Sequence, residues 1–210
     1  MKLIVITPSK DILDEPFLVT KMFESGLPTL HLRKPKHSTN GLRKYIEAIP
    51  EHFHNRIMLH THHDLAIKFK LKGIHLGRVH LSKKWKYFFV RLRLKMRFGK
   101  ISKSRSYSRL NQVYEKEEQK FDYFLIGTMF NNMTGELYSG FYEAGLSAAN
   151  KSTEKILVAK GGTSPKTIAK AAQLGFKGIA FNSFIWNSDT PHDSFMEVME
   201  EFKKQNLEVE

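Results

Sequence analysis

The feature that most constrains this chain is a rhythm. Runs of β-branched and aromatic residues recur along it, and most are followed by a stretch that fits a helix. Strand-like runs cover 3–7, 28–33, 57–61, 73–77, 121–127, 156–161 and 178–184, and helical stretches fill 16–25, 41–49, 64–71, 138–149, 165–174 and 194–205. Strands that alternate with helices over short loops build a parallel sheet, because parallel neighbours need a crossover and the crossover helices cover the faces. An eighth strand is expected within the basic segment 65–114. About eight such units in 210 residues predict an α/β fold, a single compact (β/α)8 TIM barrel over 1–210, in preference to an open doubly wound sheet.

Local chemistry supports the units. In Gly161-Gly162-Thr163-Ser164-Pro165, Ser164 suits an N-cap and Pro165 the first helical turn, where a missing N–H costs nothing. Gly175 is placed to end that helix. The stretch 90–98 is ambiguous. Val90, Leu92, Leu94, Met96 and Phe98 alternate with Arg91, Arg93, Lys95 and Arg97, which reads as a half-exposed strand, the alternative being a helix over 83–98. No linker, low-complexity tract or long repeat divides the chain.

Composition narrows the chemistry. With no cysteine there are no disulfides, thiolate metal sites or cysteine nucleophiles, so a metal would sit on His, Asp or Glu. The apolar run Leu3 to Ile6 is too short for a secretory core or a membrane span, and a cytoplasmic location is expected. The net charge of +13 is local: residues 65–114 carry fifteen Lys/Arg and no Asp/Glu. Such a block attracts polyanions, and a solvated basic face is the plain alternative. Trp85 and Tyr87 lie among Lys83, Lys84 and Lys86, a mixture that fits nucleic-acid stacking, but no nucleic-acid motif accompanies it.

In a barrel of this kind function gathers at the carboxyl ends of the strands, and phosphate often lodges on the loops after strands seven and eight. Gly161 and Gly162 would bring bare N–H groups to a ligand there, and Asn182 with Ser183 would add an amide and a hydroxyl. A tight turn is the structural alternative for the glycines.

Several segments, in order, resemble the thiamine phosphate synthase and thiazole tautomerase family. They are His31-Leu32-Arg33-Lys34-Pro35, Asp64-Leu65-Ala66, Gly73-Ile74-His75-Leu76-Gly77, the serine-rich 102–108, Asp122 to Gly127, Ala159-Lys160-Gly161-Gly162, and Gly178 to Trp186. The resemblance implies coupling of an aminopyrimidine diphosphate to a thiazole phosphate with release of pyrophosphate, assisted by Mg²⁺. It implies catalytic roles for Arg33, Thr134 and Ser106, and substrate contacts from His31, Lys34, Lys36, His60, Thr61, His80, Gly161, Gly162, Asn182 and Ser183. The alternatives are a tautomerase, or a binder of the same phosphorylated ligands without turnover. Association of copies is left open.

The departures from the family pattern are specific. An Asn-Asp pair becomes His60-Thr61, a second metal-binding Asp becomes His80, the loop Lys after Thr134 becomes Gly135, and the Lys of the strand-two motif becomes Pro35. A hard Mg²⁺ ion thereby loses its carboxylates, and Arg33, Lys34 and Lys36 are left to stabilise phosphates electrostatically. The histidine that the resemblance implies for tautomerisation is replaced by Tyr107 and Ser108. His31, His60 and His80 fall at three neighbouring strand ends, where three imidazoles would suit zinc or, protonated, pyrophosphate. Ordinary mouth residues are the plainer reading, and no metal ligand is assigned. His75, inside a strand, reads as a satisfied core or mouth histidine.

Overall fold

In the computed structural model, which describes residues 1–77, 92, 96, 101–117, 120–138 and 140–210, eight parallel strands close into a barrel in sequence order. The strands are β1 (Lys2–Ile6), β2 (Thr29–Leu32), β3 (Ile57–Leu59), β4 (Gly73–Leu76), β5 (Ser102–Tyr107), β6 (Tyr123–Ile126), β7 (Leu157–Lys160) and β8 (Gly178–Phe181). Between them run α1 (Glu15–Glu24), α2 (Thr39–Glu47), α3 (Asp64–Lys68), α4 (Glu143–Ser152), α5 (Ile168–Gln173), the short α6 (Ser183–Trp186) and α7 (Pro191–Lys204). The expected eighth strand is β5, inside the basic segment. Among the described residues, no helix is long and apolar enough to cross a membrane.

Of the ambiguous stretch 90–98, Leu92 and Met96 are described, and both are helical and exposed. They stand four apart, the spacing of one helical face, so at these positions the strand reading is corrected. The remainder of that stretch lies outside the described residues, as do Trp85 and Tyr87.

Strand alternation sorts side chains into two layers. Leu3, Val5, Leu30, Leu32, Ile57, Leu59, Phe124, Ile126, Ile179 and Phe181 pack outward against the helices in the larger apolar cluster. Ile4, Met58, Tyr123, Leu125, Val158 and Ala180 form a smaller cluster inside the barrel. The register pairs Ile6 with His31, His75 with Ser104, and Ser104 with Tyr123. The interior is thus apolar in one part and polar where His31, His75, Ser104 and Ser106 gather.

The unit after β7 follows its local code. Ser164 N–H donates to Thr167 Oγ1 at 3.0 Å and Thr167 N–H to the Ser164 carbonyl at 3.0 Å. At the far end Gly175 adopts φ +87°, and Phe176 N–H reaches back to the Ala171 carbonyl at 3.1 Å, a left-handed helix terminus that suits glycine.

Candidate active site

The polar part of the interior is a chain of side chains from five strands. His31, fully buried on β2, bonds through Nδ1 to His60 Nε2 at 2.9 Å and through Nε2 to the Tyr123 hydroxyl at 2.6 Å. Tyr123 is the register partner of Ser104 on the neighbouring strand, and Ser104 Oγ lies 2.9 Å from His75 Nδ1. His75 Nε2 meets Ser106 Oγ at 3.1 Å, and Lys160 Nζ donates to Ser106 Oγ at 3.1 Å. The rings of His60 and His75 stack with centroids 4.1 Å apart.

Burial fixes the charge states. His31 is held down to about 3, first by desolvation and then by the ammonium groups of Lys72 and Lys160. His60 is held well below the ordinary imidazole value by burial, then by His75, His31, Arg33 and Lys160. Both rings are neutral near pH 7, which removes the protonated-imidazole route to pyrophosphate binding for these two. The Tyr123 phenol is pushed upward by burial and stays protonated. Lys160 is lowered by burial and then by Arg33. Positive charge at the mouth therefore resides on Arg33 and Lys160. Arg33 is exposed at the end of β2, its guanidinium 2.6 Å from Ser9 Oγ and its backbone N–H 2.8 Å from Thr7 Oγ1.

On the opposite rim, Gly161 and Gly162 adopt φ +85° and +66°. A Cβ at Gly162 would stand 1.8 Å from the Phe130 carbonyl oxygen, so close approach of the loop after β6 requires glycine there. Met129 N–H donates to the Lys160 carbonyl and Phe130 N–H to that of Gly161, at 2.9 and 3.0 Å. The tight-turn role of the glycines is therefore real, and it brings the Thr134 loop against them. Thr163 Oγ1 donates to the Ala180 carbonyl at 2.7 Å, tying this loop to the end of β8, where Asn182 and Ser183 follow. Ser183 Oγ makes no hydrogen bond among the described residues.

The remaining expected site residues divide. Lys34 is turned away: it is buried, with Nζ 2.5 Å from Glu15 Oε2, 2.9 Å from the Lys10 carbonyl and 3.4 Å from Asp11. Its stem fills the space beside Tyr45, whose hydroxyl donates to the other Glu15 oxygen at 2.8 Å. This corrects its expected substrate contact, since no hydrogen-bonding capacity is directed to the mouth. Lys36 is exposed. Thr134 is exposed, and its hydroxyl accepts from Glu136 N–H at 3.2 Å within a local turn. Asn182 is anchored, its Nδ2 donating to the Ile6 carbonyl at 2.7 Å. Thr61 Oγ1 is buried without a partner among the described residues. His80 lies outside the described residues; among the described residues, His75 joins His31 and His60.

Lys160, Ser104, Tyr123 and the role of His75 were missed by sequence reasoning. The available signal was period two: counting alternate residues from His31 and Ser106 through each strand places all four inside. A separate cavity of about 510 Å³ at the opposite end of the barrel is lined by Lys2, Ile156, Phe176, Lys177 and Glu210. It lies at the amino ends of the strands and contains none of these groups.

The donor set does not fit magnesium. That ion takes hard oxygen ligands in near-octahedral geometry, whereas the described mouth offers imidazoles, hydroxyls and two cations. The carboxylates of Asp11, Glu15 and Glu117 are engaged elsewhere with Lys34 and Arg105.

Fold and site together define a small (β/α)8 barrel protein with its polar groups gathered inside and at the carboxyl rim. Residues 3–185 match the family described as thiamine monophosphate synthase, and the chain belongs to that family. It is 28% identical to a thiamine phosphate pyrophosphorylase from Bacteroides thetaiotaomicron, with TM-score 0.74, covering 98% of this chain and 96% of that one. A thiamine phosphate pyrophosphorylase from Pyrococcus furiosus shares the fold, with TM-score 0.75 and 18% identity over 97% of this chain and 96% of that one. The thiamine-phosphate synthase of Synechococcus sp. (strain WH7803) is 26% identical over 189 residues, 87% of this chain and 50% of that protein. The chain thus spans about half the length of that relative.

Proposed function

We propose that this chain joins an aminopyrimidine diphosphate to a thiazole phosphate, as the names of its relatives suggest. The observation that carries the reading is the placement of Lys160 and Arg33. Lys160 donates to Ser106 inside a chamber of neutral side chains beside the glycine loop of β7, and Arg33 lies exposed at its rim, near enough to lower Lys160. In the reaction the carbon–oxygen bond to the diphosphate breaks, its electron pair leaves with pyrophosphate, and the thiazole nitrogen lone pair forms the new carbon–nitrogen bond. Positive charge aimed at the leaving group stabilises the transition state, and it is worth most where water is excluded. Arg33 and Lys160 supply that charge, and no step here is routed through magnesium. Thiazole phosphate takes the N–H groups of Gly161 and Gly162, Asn182 and the Ser183 hydroxyl. The pyrimidine lies against His31, His60 and Thr61, whose buried hydroxyl has no partner among the described residues.

The tautomerase alternative meets Tyr107 and Ser108 where the resemblance places its proton-carrying histidine. Tyr107, at the end of β5, is buried on the outer face of the strand, 2.5 Å from Glu117 and 3.1 Å from Lys155. The test is incubation of the purified protein with both substrates, with and without magnesium, and measurement of thiamine phosphate. Product whose rate falls steeply with added salt and changes little with magnesium is expected. No product under either condition, with thiazole phosphate still bound, would replace this reading with that of a phosphate-ligand binder.

A further inference from the structure

We propose that His31, His60 and His75 form a binding site for a transition metal of the zinc class inside the barrel. The inference stands on ring geometry and is independent of the coupling reaction. One nitrogen from each ring can be chosen so that all three lie within 4.8 Å of one another. A tetrahedral zinc ion with Zn–N bonds of about 2.0–2.1 Å needs its ligand nitrogens about 3.3 Å apart. His31 Nδ1 and His60 Nε2 stand 2.9 Å apart, so a small rotation makes room between them. His60 and His75, stacked at 4.1 Å and 18° from parallel, must turn out of that stack for both lone pairs to meet one ion. Imidazole nitrogens suit zinc, cobalt and nickel and do not suit magnesium.

The outer partners are those a metal-bound histidine requires. With His31 bound through Nδ1, its Nε2–H donates to the Tyr123 hydroxyl 2.6 Å away. Tyr123 in turn faces Ser104. With His75 bound through Nε2, the nitrogen on the rim side, its Nδ1–H donates to Ser104 Oγ at 2.9 Å, and Ser106 keeps its bond from Lys160. Three protein ligands is the count of catalytic zinc rather than structural zinc, and the fourth position takes water or a substrate atom. Lys160 and Arg33 oppose a divalent cation, so the ion is held best when an anion fills that fourth position.

Untagged protein is titrated with Zn²⁺ and, separately, with Co²⁺ and Mg²⁺, with calorimetry and visible absorption as readouts. One equivalent of zinc is expected, together with the intense absorption of four-coordinate cobalt and no heat from magnesium. His60→Ala and His75→Ala should each weaken zinc binding by at least about 10–100-fold, the usual loss for an outer partner and a lower bound for a ligand. His52→Ala, at an exposed position, should leave it unchanged. Circular dichroism of each variant separates a lost site from a lost fold, and the cobalt spectrum of the intact protein needs no variant at all. Weak cobalt absorption of six-coordinate type, or zinc binding equal in His60→Ala and His52→Ala, would overturn the proposal.

Discussion

Two lysines lie on opposite sides of the barrel wall and do opposite work. Lys34 leaves β2 outward and is enclosed with Glu15, Asp11 and Tyr45. Lys160 ends β7 inward, donates to the neutral Ser106 hydroxyl, and pairs with no carboxylate among the described residues. A lysine whose charge is cancelled inside the protein holds the fold together. A lysine left without a counter-charge beside Arg33 has capacity for an anion from outside. The difference is one of strand parity: β2 and β7 each present alternate residues to the chamber, and Lys34 falls on the wrong alternate.

The sharpest way to break this contrast is to remove each charge in turn. Lys34→Met should cost about 3–5 kcal/mol of stability, because Glu15 remains buried without its partner. Denaturant unfolding reads this, and a loss below about 1 kcal/mol would mean that the pair is not structural. Lys160→Met should leave unfolding nearly unchanged. It should instead lower kcat/KM for thiamine phosphate formation by about 10²–10³-fold, the usual effect of losing one charge-stabilising donor. Equal effects of the two variants on both readouts would erase the distinction.

The contrast also explains what the sequence made legible. The barrel was visible because alternation, glycines and caps are local signals, and residues 161–175 announce their turn and helix start within fifteen positions. The β7–β8 rim was visible for the same reason: glycine is required by backbone geometry, as the Phe130 carbonyl beside Gly162 demonstrates. Lys34 was misread because proximity to Arg33 in sequence places the two on opposite faces of a strand. Lys160 stood in plain view between Ala159 and Gly161, yet its value depends on Ser106 and Arg33, which are distant in sequence. The histidine group was half legible, since His31 and His60 were singled out while the third member is His75, from inside β4.

A third consequence separates the two regions by pH. The His31 ring is held down to about 3 against an ordinary 6.5. For a base with a lowered folded value, the unfolded chain binds the proton first as pH falls. Stability is therefore complete above about pH 6.5 and lost progressively down to about pH 3, with about 2 kcal/mol gone at pH 5 from this ring alone. His31→Gln should flatten that part of the stability profile. Lys160→Met should flatten it in part, since the ammonium is one cause of the low value, whereas Lys34→Met should lower the curve most at neutral pH, because the orphaned, buried Glu15 carboxyl is relieved by taking up a proton as pH falls.

The smallest expected effect tests whether the rim opposite the histidines binds by neutral donors. Ser183 Oγ has no hydrogen bond among the described residues and follows Asn182, which is pinned to the end of β1. A hydroxyl held ready for phosphate contributes about 1.5 kcal/mol through a bond to a charged acceptor. Ser183→Ala should therefore weaken thiazole phosphate binding by about tenfold in calorimetry, with the melting temperature unchanged. Because the lost donor is uncharged, the slope of log affinity against log salt should match that of the wild type, whereas Lys160→Met should reduce it if the lysine reaches the same phosphate. Unchanged affinity in Ser183→Ala would move the thiazole phosphate off this loop and toward Lys160 and Arg33.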